Sequence, residues 1–520
     1  MTFCDGHRII HLRLNCIDFK MRQILAPISK RICQIRQDNT MMRCVPGIRV
    51  LILSKTLPSS YDGTSRFVHS THGNKASPSM ETNDNSTNVA AKNERRSVKN
   101  QPLSLLPLTM IVRSLATSTV SSSPKLLAIS LSLLRFLAFS DTKLLNPDHN
   151  RLLKYILNMS LYKQFCAGEN AEQVAETLAG VKKIGFTGAI LAYARESPNE
   201  DSEGASKSSD SKVDPDEKAN KEISTWLENS LKTVQLAAAG DFVALKFSGA
   251  GSRAREQLQK GLKPGPYFTE SIDRVCQIAR ERDVRVLIDG EQDELQDTID
   301  KWTLELAQRH NVVPDKAIIF GTYQAYKKSM PRTLASHLRE AQQNNFTLGV
   351  KLVRGAYLQS DPPERLQGSK ADTDACYDAT AISVLTREWS STIPGSGPYP
   401  KVSIMFATHN ASSVRKAYAI SVEGRARSEL LFAQLQGMAD EISCELVEMN
   451  SSTSSEEPVT PPAAQLPVYK YMAWGTTGEC MKYLLRRAEE NRDAVTRTRE
   501  DRDAMWFELL RRAKGVFRTI

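Results

Sequence analysis

Cysteine pairs and long apolar runs are scarce in this 520-residue sequence. Its nine cysteines are scattered, without a CxxC pair or a His/Cys cluster at metal-ligand spacing. This pattern favours reduced thiols in an intracellular compartment over a disulfide scaffold or a zinc site. The longest apolar run, Leu126 to Phe139, is interrupted by polar residues and falls short of the roughly 20 residues that span a bilayer. We therefore predict a core helix there, with an interfacial helix as the alternative and no transmembrane span.

Common catalytic signatures are also missing. The sequence contains no GxSxG elbow, no Walker loop, no HExxH motif and no evident pair of carboxylates for glycoside hydrolysis. The short GAG at Gly249 to Gly251 lacks the rest of a dinucleotide fingerprint, and we interpret it as a plain turn. A cofactor-free hydrolase is disfavoured, because no nucleophile and base pair can be identified.

The net charge of +10 is concentrated at the N-terminus. Residues 1–60 carry ten Lys and Arg against three Asp, which leaves the remainder of the chain almost balanced. A nucleic-acid-binding protein usually concentrates positive charge on its folded domain, so we expect no nucleic-acid partner. A basic, acid-poor N-terminus followed by Ser/Thr-rich sequence instead predicts a mitochondrial transit region over residues 1–60, with a disordered tail as the alternative.

Composition divides the rest of the chain. Residues 61–100 are polar and poor in apolar side chains, which predicts a disordered linker. We expect an N-terminal helical segment over 101–185 and a large domain over 186–520. Two polar stretches, Ser197 to Lys221 and Asn450 to Pro462, are predicted to be surface insertions in that domain.

Eight short apolar runs alternate with helical patterns in the large domain, as expected of repeated βα units and a parallel sheet. Helices fit the gaps, for example where Ile272, Val275, Cys276 and Ala279 recur at helical spacing. The fold class is therefore predicted as α/β, a (β/α)₈ barrel, with a doubly wound open sheet as the alternative. The runs begin near Phe186, Asp241, Val284, Ala317, Thr347, Val402, Glu429 and Val468.

Polar side chains stand at or just after the ends of nearly all these runs. Because a barrel of this type builds its active site from the carboxyl ends of its strands, we expect these groups to meet there. Cationic groups outnumber the single Asp289, so the site should attract a carboxylate or phosphate. The set comprises Lys246, Asp289, Tyr323, Gln324, Lys351, Arg354, His409, Asn410, Gln434 and Tyr471.

The segment after Gly478, ECMKYLLRRAEENRD, predicts a helix with two opposed stripes. Met481, Leu484 and Leu485 lie on one stripe, and Tyr483, Arg486 and Arg487 on the other. Amphipathicity alone favours a surface helix with its arginines in water.

Six motifs occur in an order that resembles the eukaryotic, fungal-type, mitochondrial proline dehydrogenases from about Pro102 onward. KLVRGAY and YLLRRAEEN are the specific ones, and the others are IDGEQDELQ, FGTYQAY, FATHN and QGMAD. The resemblance implies a distorted (β/α)₈ barrel that holds noncovalent FAD at the strand ends. It also implies that the last helix lies over the barrel mouth and turns its arginine pair inward, opposite to the surface-helix interpretation.

The resemblance implies roles for individual residues. Arg486 and Arg487, with Lys246, would bind the substrate carboxylate, Tyr471 and Tyr483 would line the ring pocket, and Asp289 would hold the cationic groups in place. Lys351 would lie near flavin N5, Gln324 would bind the flavin ring, and Arg354 would bind the FAD phosphates or neighbouring groups. The remaining cofactor contacts implied are Gly355, Ala356, Tyr357, Thr408, His409, Asn410 and Gln434. No metal is expected.

The activity implied is oxidation of L-proline to 1-pyrroline-5-carboxylate by hydride transfer to flavin N5, with electrons passed to ubiquinone. The protein would lie in mitochondria, at the inner membrane surface or in the matrix. No side chain has the pairing of a committed general base, so that role stays unassigned. Two alternatives remain open, a hydroxyproline dehydrogenase on the same scaffold and a catalytically silent barrel. Tyr471 favours proline, because a bulky side chain beside the ring should exclude an extra hydroxyl.

Overall fold

A computed structural model describes residues 101–140, 142–195, 214–452, 466–492 and 495–518. The transit region and linker predicted over residues 1–100 lie outside these ranges, as does most of each polar insertion. The insertion boundaries need correction where they are described, because residues 215–221 and 450–452 belong to helices. Both helices extend the barrel scaffold into sequence that was predicted to belong to surface insertions.

Eight parallel strands close into a barrel, in which each strand pairs with the next and β1 pairs with β8. Each of the eight apolar runs forms one strand, which confirms the predicted barrel and excludes the open sheet. The strands are β1 Gly188–Tyr193, β2 Phe242–Leu245, β3 Arg285–Ile288, β4 Ile319–Gln324, β5 Leu348–Val353, β6 Val402–Ala407, β7 Glu429–Leu435 and β8 Val468–Trp474.

Helices precede the barrel, surround it and follow it. The N-terminal helices are α1 Leu108–Ser121, α2 Pro124–Ala138, α3 Arg151–Leu157, which continues through a π-helical turn at Asn158–Tyr162 to Lys163–Phe165, and α4 Ala171–Ile184. The others are α5 Pro215–Leu236, α6 Ser252–Gln259, α7 Pro266–Glu281, α8 Asp293–His310, α9 Met330–Asn344, α10 Lys370–Thr386, α11 Ala411–Val422, α12 Asp440–Ser452, α13 Thr477–Arg492 and α14 Val495–Arg518.

The strands are apolar on both faces because each face is covered. Side chains that point outward pack beneath the helices in one large core, including the predicted α7 stripe of Ile272, Val275 and Cys276. Side chains that point inward alternate with them and fill the barrel. This alternation decides which polar residues can reach the barrel mouth.

Aromatic side chains close the amino-terminal end of the barrel. Phe242 contacts both Phe320 and Tyr469 edge to face, with ring centroids 5.5 and 5.0 Å apart. Below them Arg285 forms a two-pronged ion pair with Glu429, with N to O distances of 3.0 and 2.7 Å. A substrate therefore has to approach from the carboxyl end.

Helix α13 follows β8 directly and is covered on its outer side by the N-terminal helices. Met481, Leu484 and Leu485 are buried against Leu134 and Leu137 of α2. One further helix, α14, follows and packs on α1.

No single helix among the described residues is long and apolar enough to cross a membrane. The pair α1 and α2 passes that test together, but is bent by 100°.

Two titratable groups, one half-buried and one buried, flank β4 on its helical side. Burial raises the pKa of the Asp300 carboxyl on α8 to about 7, while burial lowers the pKa of His337 on α9 to about 4. The His337 ring is hydrogen-bonded to the Tyr323 hydroxyl at 2.8 Å. Asp300 should make the fold less stable as pH rises from about 4 to 7, and His337 should make it more stable as pH rises from about 4 to 6.5.

Asp300→Asn is expected to stabilise the protein at pH 7 by up to about 2 kcal/mol, since it removes a charge from a half-buried site. Asparagine can still accept the hydrogen bond that Gln296 donates to Asp300. The unfolding midpoint of the variant should rise more steeply between about pH 4 and 6.5 than that of the wild type. In the variant, Asp300 no longer offsets the gain in stability that His337 contributes as pH rises. Glu305→Gln, which removes an exposed carboxylate of the same helix that does not act on Asp300, is the control. An identical pH slope in wild type and variant would contradict the prediction.

Candidate active site

Five polar side chains point inward at the carboxyl ends of five strands. Lys246 follows β2 and Asp289 follows β3, while Gln324, Lys351 and Tyr471 lie on β4, β5 and β8. All five are buried or partly buried. The structure therefore brings together the inward-facing members of the predicted set, in the place where barrels of this class bind ligands.

Asp289 is the centre of this cluster. One of its oxygens accepts a hydrogen bond from the Lys351 ammonium, and the other accepts one from the Tyr471 hydroxyl at 2.7 Å. Burial pushes the pKa of Asp289 upward, but the Lys351 and Lys246 charges and the Tyr471 hydroxyl hold it below its ordinary value. The carboxylate thus stays ionised, holds Lys351 and Tyr471 by hydrogen bonds, and lies within electrostatic reach of Lys246.

Tyr471 is held by the same contact. Burial and the Asp289 charge raise the pKa of its phenol well above the ordinary value, so the hydroxyl remains a donor. The Lys351 ammonium lies 5.4 Å from the centre of the Tyr471 ring. The ring is therefore fixed as one wall of the mouth.

The other three strands present small side chains to the mouth. Ala192, Ala407 and Ala433 point inward near the carboxyl ends of β1, β6 and β7. Alanine side chains occupy little of the mouth beside the polar cluster. The individual sequence runs did not signal this feature, because it appears only when three distant strands are placed side by side.

Helix α13 brings a second group of side chains over the mouth. Tyr483 is buried, and the guanidinium of Arg487 lies 5.3 Å from the centre of its ring. Tyr483 also acts electrostatically on the Tyr471 phenol, and Arg487 acts on both Tyr471 and Tyr357. Arg486 is half-buried on the same helix. The inward orientation implied by the resemblance therefore agrees with the structure for Tyr483 and Arg487.

Three carboxylates anchor the amino end of α13. Asp148 accepts a hydrogen bond from the backbone N–H of Gly478 at 3.1 Å, and Glu169 accepts one from that of Thr477 at 2.9 Å. Glu479 accepts one from the Thr476 N–H and another from the Tyr193 hydroxyl. A β-carbon at Gly478 would lie 2.3 Å from an Asp148 oxygen, so glycine permits this approach. Negative charge at a helix amino terminus is stabilising, and these contacts fix α13 in place.

Gln324 is oriented from behind by residues that sequence reasoning missed. Its amide nitrogen lies 3.3 Å from Gln296 Oε1 and 3.4 Å from the Glu291 carbonyl. The Gln296 oxygen also accepts the Glu291 backbone N–H at 2.8 Å. These contacts orient the Gln324 amide, with its oxygen as the remaining acceptor. Glu291 and Gln296 both lie in IDGEQDELQ, so the motif carried the signal.

The Glu291 side chain is a second missed feature. It is buried and accepts hydrogen bonds from the Ser248 hydroxyl and backbone N–H. These contacts join the loop after β2 to the loop after β3, the two loops that carry Lys246 and Asp289. Glu291 therefore braces the cluster.

The KLVRGAY segment continues beyond Lys351 into a tight loop. Arg354 donates to Asp374 at 2.6 Å, Thr408 at 2.7 Å and Ser413 at 2.9 Å. Gly355 has a φ of +139°, and a β-carbon there would lie 2.3 Å from the Tyr326 ring, so glycine is required. Ala356 is exposed, and the hydroxyl of partly buried Tyr357 lies 3.4 Å from the Gly290 carbonyl.

The residues predicted after β6 and on β7 are engaged in the scaffold. Thr408 accepts the Arg354 contact, the His409 ring accepts the Leu435 N–H at 3.1 Å, and the Asn410 side chain caps α11. Gln434 needs a correction, because it lies on the outer side of β7. There it contacts Ser443 of α12 and the Thr408 carbonyl, outside the barrel interior. Its neighbours Leu431 and Ala433 take the inward positions.

This arrangement defines a (β/α)₈-barrel protein with an anion-attracting, carboxylate-organised pocket at the carboxyl end of the barrel, covered by a basic helix. The proline dehydrogenase family model matches residues 151–500. The chain therefore belongs to the proline dehydrogenase family.

Individual relatives agree. A protein described as probable mitochondrial proline dehydrogenase from Schizosaccharomyces pombe is 32% identical over 256 residues, covering 47% of this chain and 50% of that protein. The chain thus spans about half the length of this curated relative. A rat hydroxyproline dehydrogenase is 27% identical over 411 residues, covering 70% and 84%. Proline utilization A from Bdellovibrio bacteriovorus superposes with a TM-score of 0.52 at 17% identity, covering 73% of this chain and 38% of that one, which supports the fold.

Proposed function

We propose that this protein is an FAD-dependent proline dehydrogenase that oxidises L-proline to 1-pyrroline-5-carboxylate, the first step of proline catabolism. The observation that carries the proposal is the pairing of the Asp289 cluster with the basic face of α13. Family membership supplies the reaction class. The geometry supplies a site of suitable charge.

The cationic groups suit the carboxylate of an amino acid. The positive charges of Arg487 and Lys246 both act to lower the pKa of Tyr357. The two residues therefore lie near the same part of the mouth, although one is on α13 and the other follows β2. Guanidinium groups bind a carboxylate through two parallel hydrogen bonds, which orients the substrate as well as holding it. We assign the substrate carboxylate to Arg486, Arg487 and Lys246. The aliphatic ring then lies between Tyr471 and Tyr483.

The residues present fit a flavin. The inward side chains of β1, β6 and β7 at the mouth are alanines, which suit a flat ring system, and Lys351 and Gln324 offer a cation and a hydrogen-bonding amide on other strands of the same mouth. Arg354 and the backbone near Gly355 would hold the phosphates, with Ala356, Tyr357 and the Thr408 to Asn410 segment around them. When bound, FAD would supply the hydride acceptor, and positive charge from Lys351 favours the reduced form.

The chain's own residues contribute orientation and exclusion of water. Carboxylate binding fixes the proline ring, and α13 covers the mouth so that charges inside act through a poorly solvated medium. Oxidation removes a hydride from ring carbon C5 and a proton from the ring nitrogen. No described side chain beside the cluster is held as a committed base, so we assign the proton to solvent.

The setting follows from the relatives and from composition. The Schizosaccharomyces pombe relative is named mitochondrial, and this chain has a basic, acid-poor N-terminus. We place the protein in mitochondria, at the inner membrane surface or in the matrix, with ubiquinone as the electron acceptor.

Hydroxyproline oxidation is the second candidate, because the rat hydroxyproline dehydrogenase aligns over 70% of this chain. Tyr471 favours proline. Its hydroxyl is bound to Asp289, so the ring cannot swing aside without breaking that contact and leaves little room for a substituent on the substrate ring.

Anaerobic mixing of the purified, FAD-loaded protein with L-proline tests the proposal. The flavin absorbance should bleach with proline, and more slowly with hydroxyproline. Faster reduction by hydroxyproline would overturn the substrate assignment. An intact flavin spectrum that neither amino acid bleaches would favour a catalytically silent barrel.

A further inference from the structure

Helix α2 is apolar on two sides, only one of which is covered. Leu134 and Leu137 face α13, as described above, and Leu127 is also buried. The other side carries large apolar side chains at helical spacing that are about half exposed or more, namely Leu126 (46%), Ile129 (66%), Leu133 (56%) and Phe136 (59%). A helix that is apolar nearly all round is normally buried in protein or lipid.

The next element repeats the pattern. In α3 and its π-helical continuation, Leu157 and Tyr162 pack in the same cluster against α13. The side chains of Leu152, Tyr155, Ile156 and Met159 are exposed, again at helical spacing. Leu144, in the connection between α2 and α3, is 78% exposed. Patches of exposed apolar side chains of this kind mark interaction surfaces. We name these exposed residues of α2, α3 and their connection the outer face.

The charges around the outer face are positive. Residues 101–165 contain seven Lys and Arg and only two Asp. Five of the basic side chains are exposed, and they lie on or beside the helices that carry the outer face: Lys125, Arg135, Lys143, Arg151 and Lys163. An apolar helix face bordered by basic residues is the combination that binds at the surface of an anionic bilayer.

Charge also distinguishes the three partners that could cover the outer face: a second copy of the protein, the N-terminal residues 1–60 and a lipid bilayer. A twofold dimer would bring the outer face against its own copy and so place basic residues opposite basic residues. The N-terminal residues 1–60 are themselves strongly basic, so they complement this surface poorly. A bilayer containing anionic phospholipid satisfies both the apolar and the electrostatic requirement.

We propose that the outer face of α2 and α3 is the surface by which this protein docks on an anionic phospholipid bilayer. The helices lie in the interfacial plane with Ile129, Leu133 and Phe136 among the acyl chains. This assignment does not depend on the substrate.

The docking surface lies directly behind the helix that covers the active site. Arg135 of α2 forms an ion pair with Glu489 of α13 at 2.6 Å, and the Lys482 ammonium lies 5.3 Å from the centre of the Phe139 ring. Docking therefore brings the mouth of the barrel close to the bilayer. Its consequence, delivery of electrons to a quinone dissolved in the membrane, rests on the proposed function.

Vesicle co-sedimentation of the purified full-length chain tests the surface. The wild type should bind vesicles of phosphatidylcholine mixed with phosphatidylglycerol and bind phosphatidylcholine alone more weakly. Ile129→Ser/Leu133→Ser/Phe136→Ser should bind the mixed vesicles about tenfold more weakly or worse. Lys125→Glu/Lys143→Glu should lose the preference for the anionic lipid. Leu262→Ser/Val312→Ser/Val422→Ser, which removes exposed apolar side chains elsewhere, should bind as the wild type does.

Three results would overturn the proposed docking surface. They are no vesicle binding by the wild type, unchanged vesicle binding by the triple serine variant of α2, or a sedimentation coefficient of that variant without lipid that is smaller than the wild-type value. The last would mean that a second copy covers the face. Proline oxidation with a soluble artificial acceptor should be unchanged in every variant. Loss of vesicle binding with intact proline oxidation leaves the proposed function standing, whereas vesicle binding without proline oxidation by the wild type refutes only that function.

Discussion

Arg486→Met/Arg487→Met should lower kcat/KM for L-proline about a thousandfold while leaving the protein folded and the flavin bound. Charge-assisted hydrogen bonds contribute about 1.5–3 kcal/mol each, and each tenfold change corresponds to about 1.4 kcal/mol. Most of the loss should appear in KM, because the carboxylate is bound equally before and during hydride transfer. Steady-state kinetics with a soluble acceptor measures both constants.

A substrate without the carboxylate separates a specific clamp from general damage. The wild type should oxidise L-prolinamide far less efficiently than L-proline, whereas the double variant should discriminate little between them. Arg253→Met/Arg425→Met removes two exposed arginines from surface ion pairs and should change neither constant. If the double methionine variant still prefers proline over prolinamide as strongly as the wild type does, the arginines do not bind the carboxylate.

The barrel was predictable because each strand is a short apolar run, and nearly every run has a polar residue at or just after its end. Arg285 to Ile288 followed by Asp289, and Leu348 to Val353 followed by Arg354, show both features. The direction of an individual side chain was harder to predict where a strand is apolar on both faces. Gln434 appeared to belong to the site for that reason, since ELLFAQL has no alternation to show that it points outward.

The features of the site that could not be predicted depend on contacts between distant parts of the chain. Asp148 and Glu169 anchor α13 across more than 300 residues of sequence, and no local pattern announces such a pairing. Amphipathicity gave the wrong orientation for α13, because the method assumes that one face is in water. Helix α2 covers the leucine face of α13, and the basic face is therefore turned toward the barrel.

Asp289→Asn is expected to reduce kcat/KM about a hundredfold or more and to destabilise the fold by about 3–5 kcal/mol. The substitution preserves shape but leaves the buried Lys351 ammonium without its carboxylate, and breaking a buried ion pair from one side carries a cost of that size. The Tyr471 hydroxyl also loses its charged acceptor. Because the Asp289 pKa is held low, its contribution is present above about pH 4 and is lost as pH falls further.

A second substitution distinguishes the structural part of this effect from the catalytic part. Asp289→Asn/Lys351→Met removes both charges and should recover much of the lost stability, since no buried charge remains unpaired. Activity should stay low, because Lys351 no longer offers positive charge beside the proposed flavin site. Tyr471→Phe, which removes only the hydroxyl, should have a smaller effect on stability. Recovery of both stability and activity in the double variant would show that Asp289 merely neutralises Lys351, and that neither residue acts on the reaction.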